Sequence, residues 1–160
     1  IPETKLLIDP SVKIKLFSKH VQCLEAYKLK EVANNCVQYS CFKNETEYFK
    51  DLRASKYGIT MKKAGWDCLR HYEIAFNGAV PAFYRLSLKP PESPPIGLID
   101  MYNCVTFDNA LELQEKISFI ENNSKYEVLQ RNSLEWAKRF TSENVARNII
   151  EIAFSNRQPN

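Results

Sequence analysis

Apolar residues in this chain switch from every second position to every third or fourth and back again, and this alternation most limits the folds open to it. In VKIKLF, Val12, Ile14 and Leu16 alternate with lysines, which predicts a strand; HVQCLEAYKLKEVANN, from His20, predicts a helix ending at Asn34 and Asn35. CVQYSCF alternates again, with Val37, Tyr39 and Cys41 on one face. NETEYFKDLRASKYG predicts a helix capped by Asn44, with Glu45 and Glu47 in a first turn where the helix dipole favours acids and with Gly58 as its stop. YGITM is the next strand.

In WDCLRHYEIAFNGAVPAF the spacing of Cys68, Leu69, Tyr72, Ala75 and Phe76 gives one buried helical face, Gly78 occupies the C′ position, and AVPAFY follows as a strand. From Leu86 to Asn103, Pro90, Pro91, Pro94, Pro95 and Gly97 break up regular structure. CVTF is one more strand, followed by a helix capped at Asp108 or Asn109 that buries Ala110, Leu113, Ile117 and Ile120. A second helix aligns Tyr126, Leu129, Ser133, Trp136 and Phe140, and a third, capped at Thr141-Ser142, buries Val145, Ile149 and Ile152. Strands alternating with helices over short connections indicate an α/β, Rossmann-like three-layer domain with a mainly parallel sheet and its C-terminal helices at the edge. At 160 residues the chain holds one such domain, 1–160.

No window reaches the roughly 18 uninterrupted apolar residues of a membrane span. The net charge of +3 is interspersed, without the basic block expected of a nucleic-acid binder. The opening IPETKLLIDP lacks the features of a signal peptide, and five cysteines, an odd number at irregular spacing, fit a reduced setting, so a cytoplasmic location is expected. His20, Cys23, Cys36 and Cys41 have ligating chemistry, but the spacing does not favour zinc, and no metal or cofactor is expected. Neither a G-x-S-x-G elbow nor a G-x-G-x-x-G turn occurs, which removes support for a generic hydrolase or dehydrogenase.

The TMKKAGWD loop joins a strand to a helix N-terminus, where free amides and the dipole suit a phosphate; Lys62 and Lys63 add charge, and Gly65 permits close approach. Glu73 lies about two turns inside the helix, with Arg70 three residues earlier to steady its carboxylate, and a carboxylate there suits the vicinal hydroxyls of a ribose. Asp67 and His71 form an i, i+4 pair, read as structural or as a phosphate contact rather than as a general base.

These residues carry a resemblance. The run Glu73-Ile-Ala-Phe-Asn-Gly78-Ala-Val-Pro81 is similar to the E-A-M-A-x-G-x-P-V segment in the nucleotide-sugar-binding, C-terminal half of GT-B fold glycosyltransferases. The likeness covers about two thirds of the chain, including VTFDNALELQEKI and RNSLEWAKRFTSENVARNIIEI, and the longer SKYGITMKKAGWDCLRHYEIAFNGAVPAF looks like a bacterial or viral type. The resemblance implies that Glu73 contacts the ribose and that the preceding segment, with Thr60, Gly65, Trp66 and Asp67, faces the diphosphate and sugar. Lys62, Lys63 and Arg70 would then stabilise the departing diphosphate without a metal. Gly65 stands where the family carries its first glutamate, and Asp67 is the candidate for part of that role. The expected partners are a nucleotide-diphosphate sugar and a sugar or glycan acceptor held by an N-terminal domain beyond this chain, with no nucleic acid. A non-catalytic nucleotide- or protein-binding α/β module is the alternative.

Overall fold

The computed structural model describes residues 13–39 and 41–155. Four strands, β1 (Lys15–Phe17), β2 (Ser55–Met61), β3 (Val80–Tyr84) and β4 (Val105–Phe107), form one all-parallel sheet in the order β1-β2-β3-β4. The α-helices are α1 (Lys30–Asn35), α2 (Glu45–Arg53), α3 (Leu69–Phe76), α4 (Ala110–Asn122), α5 (Tyr126–Lys138) and α6 (Ser142–Ser155). The α/β, Rossmann-like three-layer expectation holds, and none of the described helices is long and apolar enough to cross a membrane.

Strand register sorts the side chains into two layers. Tyr57 and Ile59 pair with Val80 and Ala82, and these lie with Val105 and Phe107 in one cluster beneath Leu113, Ile117 and Ile120 of α4. The opposite face carries Gly58, against which α3 lays Ile74; Ile74 in turn packs with Phe49 and Leu52 of α2. A Cβ at Gly58 would lie 2.7 Å from two Ile74 carbons, so the close seating of α3 requires glycine in the middle of β2. Gly58 is therefore not the helix stop that its sequence position suggests; α2 ends at Arg53 and the chain enters β2 directly.

Several expected elements take their expected caps. The Asn44 side chain accepts from the Glu47 amide, and Asn109, rather than Asp108, accepts from the Glu112 amide. Gly78 closes α3 with a φ of 72°, the left-handed conformation that a C′ glycine takes without strain. The 85–104 connection holds a short 3-10 turn, Leu86–Leu88, a cis peptide at Pro94-Pro95 and an isolated bridge between Asp100 and Cys104.

Other expectations fail for identifiable reasons. In β1 the buried residue is Phe17, which packs near Tyr57; Leu16 is partly buried against the same core, Ile14 is 76% exposed, and Val12 lies outside the described residues. The helix predicted from His20 is split into a 3-10 turn, Leu24–Lys28, and α1. The described residues of CVQYSCF form no strand: Val37 makes one isolated bridge with His20, and Tyr39 is 80% exposed. On α3 Ala75 and Phe76 are buried as expected, but the inner face also takes in His71 and Ile74 while Leu69 is 60% exposed, because Gly58 admits Ile74 and the His71 ring finds partners for both nitrogens.

The closing helices divide. Helix α5 crosses under the amino ends of the strands, where the Tyr126 hydroxyl donates to the Lys56 carbonyl and the Gln130 amide donates to that of Gly78. It ends with Trp136 against Tyr72 and Phe76. Helix α6 begins on the Thr141 cap but, contrary to the periodicity, leaves Val145, Ile149 and Ile152 exposed, since no described element lies over that face.

Candidate functional site

The loop from Lys62 to Asp67 leaves the carboxyl end of β2 and enters α3, as its position between an apolar run and an amphipathic one requires. Beside it lies a shallow cleft. It has a volume of only about 10 Å³ and is lined by Gln22 and Cys23 from the segment after β1, by Ile59, Thr60 and Met61 of β2, and by Lys63, Cys68 and Arg70. The described strands are in simple consecutive order, so the cleft is not formed at a reversal of strand order, the usual crevice of open α/β sheets. It is a pocket of the carboxyl ends of β1 and β2 alone.

The structure brings Thr60, Lys63 and Arg70 together and distributes the other predicted residues around them. The N-cap residue of α3, Cys68, contributes no side-chain bond. The His71 amide reaches the Cys68 carbonyl, which leaves the Leu69 and Arg70 amides as donors that the helix itself does not use. Lys63 and Arg70 make the cleft positive, and their charge reaches His20. That imidazole is held below the ordinary histidine range chiefly by burial, opposed by its bond to the Tyr39 carbonyl and reinforced by the two cations. Lys62 places its ammonium 5.3 Å from the Trp66 ring centroid, and Trp66 stacks on Phe83 at 6.4 Å. Nothing stands within 4 Å of where a Gly65 side chain would be, so the backbone there is open to an incoming group.

Two side-chain pairings differ from the sequence expectation. Asp67 accepts from the Tyr72 hydroxyl at 2.9 Å rather than pairing with His71. His71 is fully buried between β2 and the loop: the Trp66 carbonyl lies 3.0 Å from Nε2 and the Thr60 hydroxyl 2.8 Å from Nδ1. A carbonyl only accepts, so Nε2 carries the proton and the Thr60 hydroxyl donates to Nδ1. Burial depresses the proton affinity of His71, outweighing the Trp66 carbonyl and the Asp67 charge that favour the cation. The ring is neutral and enclosed, which excludes it as a base acting on a bound ligand. Glu73, one turn beyond Arg70, lies towards α2, where Oε2 accepts from the Tyr48 hydroxyl at 3.2 Å. Burial and the Glu73 charge raise the Tyr48 phenol well above its usual range, so it remains a donor.

Because His20 and His71 both hold protons less readily folded than unfolded, the unfolded chain binds more protons below about pH 6.5. Stability is therefore complete above that pH and falls as pH drops through the depressed folded values. Urea unfolding at pH 7.5 and pH 5 should give a lower midpoint in acid, and substituting His71 by glutamine should shrink the difference.

Tyr48, Gln22 and Cys23 were not legible as site residues. Tyr48 reaches Glu73 only because α2 and α3 share one face of the sheet. Arg85 leaves β3 with a φ of 54°, a left-handed conformation that is costly for a side chain, beside the segment that carries Cys23. Neither fact has a signature in residue spacing. His20, Cys23, Cys36 and Cys41 do not converge: among the described residues no group of three or more histidine, cysteine or acidic side chains could hold a metal ion.

No protein-family profile matches the chain. No curated protein matches it either.

Proposed function

We propose that this chain binds the nucleotide-diphosphate sugar of a glycosyltransferase, with the acceptor supplied by an N-terminal domain outside it. The observation that carries this reading is the meeting of Lys63, Arg70 and the unused first-turn amides of α3 at one cleft beyond the carboxyl end of β2. Such a place binds a diphosphate through fixed dipoles and mobile cations together. Lys62, Lys63 and Arg70 would take up charge developing on the leaving diphosphate, a role that needs no metal. Glu73, steadied by Tyr48, presents a carboxylate about one helical turn from Arg70, a suitable reach for the hydroxyls of the attached ribose.

A second reading is a module that holds the nucleotide without transferring the sugar. Gly65, exposed and without a side chain, stands where the resembling enzymes carry an acidic residue, and this favours it.

Calorimetric titration with UDP and with GDP tests the common part of both readings. One of the two should bind, and Glu73→Ala should weaken it roughly tenfold to a hundredfold, the loss expected for hydrogen bonds to a charged group. The same substitution leaves the Tyr48 hydroxyl without its acceptor and should cost only about 1 kcal/mol of stability. Absence of heat with both nucleotides from folded protein, or unchanged affinity in Glu73→Ala, would remove the assignment. Sugar transfer by the chain joined to an acceptor domain would then separate transferase from binding module.

A further inference from the structure

The fully buried His71 ties the loop to the sheet at a position where the loop's polar groups are sorted between inside and outside. Its Nε2–H donates to the Trp66 carbonyl and its Nδ1 accepts from Thr60 of β2, while the ring lies 4.6 Å from Phe83, on which Trp66 also stacks. The Trp66-Asp67 peptide is trans, so turning its carbonyl inward to His71 turns the Asp67 N–H outward. Among the described residues, that amide has no acceptor. The Asp67 carboxylate, which would repel an anion beside its own amide, is engaged by the Tyr72 hydroxyl. The remaining loop contacts are weaker anchors: Lys62, Lys63, Ala64 and Gly65 are exposed, and Lys63 bonds only within the loop, to the Gly65 carbonyl.

We infer that His71 is the positioning residue of the diphosphate site: through the Trp66 carbonyl it fixes the Trp66-Asp67 peptide so that the Asp67 amide, with Lys62 and Lys63, faces a bound phosphate. The inference rests on the nucleotide-diphosphate reading for its ligand, but its structural half stands on the His71 bonds alone. A histidine that merely filled space would be replaceable by any residue of similar bulk. One that positions the loop has a specific requirement, a donor at the reach of Nε2.

Two substitutions separate these roles, because the glutamine amide nitrogen lies as many bonds from the backbone as Nε2, whereas asparagine reaches only the Nδ1 position. Both disturb the Thr60-His71-Trp66 chain and should lower the melting temperature. Only His71→Asn, however, loses the donor to Trp66. Acrylamide quenching of tryptophan fluorescence reads the loop directly, since Trp136 is 2% exposed and Trp66 is the accessible indole. His71→Asn should raise the quenching of the folded protein while His71→Gln matches the wild type; affinity for UDP or GDP should fall about tenfold or more in the first and be retained in the second. Equal quenching in the two variants would overturn the positioning role. If quenching separates the variants while the wild type binds neither nucleotide, the loop anchor stands and the nucleotide reading falls.

Discussion

Replacing Trp136 by alanine should destabilise the domain by about 3–5 kcal/mol, a large part of the roughly 5–15 kcal/mol by which ordinary domains are stable. The indole is 2% exposed, lies nearly parallel to the Tyr72 ring at 5.3 Å, and meets Phe140 at 5.2 Å. Its Nε1–H also donates to the Ile96 carbonyl at 2.8 Å, so one side chain joins α5, α3 and the 85–104 connection. Alanine would remove the stack, open a cavity and leave that carbonyl unpaired. Urea denaturation followed by circular dichroism measures the effect. Trp136→Phe should recover most of the packing but retain a deficit of about 1–3 kcal/mol from the orphaned carbonyl. A loss under about 1.5 kcal/mol for the alanine variant would mean that α5 is not anchored through this residue.

Gly58→Val should be the next most damaging change, at about 3 kcal/mol, through crowding rather than loss. The first added carbon already meets two Ile74 carbons at 2.7 Å and a third at 2.9 Å, and Ile74 is 1% exposed between β2 and α2 with little room to yield. The strain would lift α3 from the sheet, and α3 carries Arg70, His71 and Glu73. Nucleotide affinity should therefore fall together with stability. Ile74→Ala is destabilising alone, yet in the Gly58→Val background it should restore part of the lost stability, because the space it opens is the space valine needs. A double variant whose loss equals the sum of the two single losses would show that crowding against Ile74 is not the cause.

The register of β1 shows the limit of periodicity. Alternation identified a strand in VKIKLF and placed Leu16 against the core, where it is partly buried, but it also selected Ile14, which is exposed, and missed Phe17, the buried residue. The alternation favours Val12, Ile14 and Leu16 over Lys13, Lys15 and Phe17, yet contact with Tyr57 brings Phe17 inside. On α3 the spacing placed Ala75 and Phe76 inside, as they are, but added Leu69, which is 60% exposed, and left out His71 and Ile74, which are buried.

What the sequence determined by itself is local. The caps at Asn44 and Asn109, the turn at Gly78, the inward face of α4, the breakage of the 85–104 connection and the strand-helix alternation that makes the sheet parallel each depend on residues a few positions apart, whose backbone preferences act without help. The nearness of Lys63 and Arg70 to a helix start was legible for the same reason. Only the tertiary structure decided the consecutive strand order, the placing of Gln22 and Cys23 opposite Arg70, the Tyr48-Glu73 contact, the exposure of α6 and the burial of His71 between Thr60 and Trp66. Those depend on which surfaces meet across tens of residues. A buried polar ring such as His71 is tolerable only where partners from separate elements satisfy both nitrogens, a condition no single segment can announce.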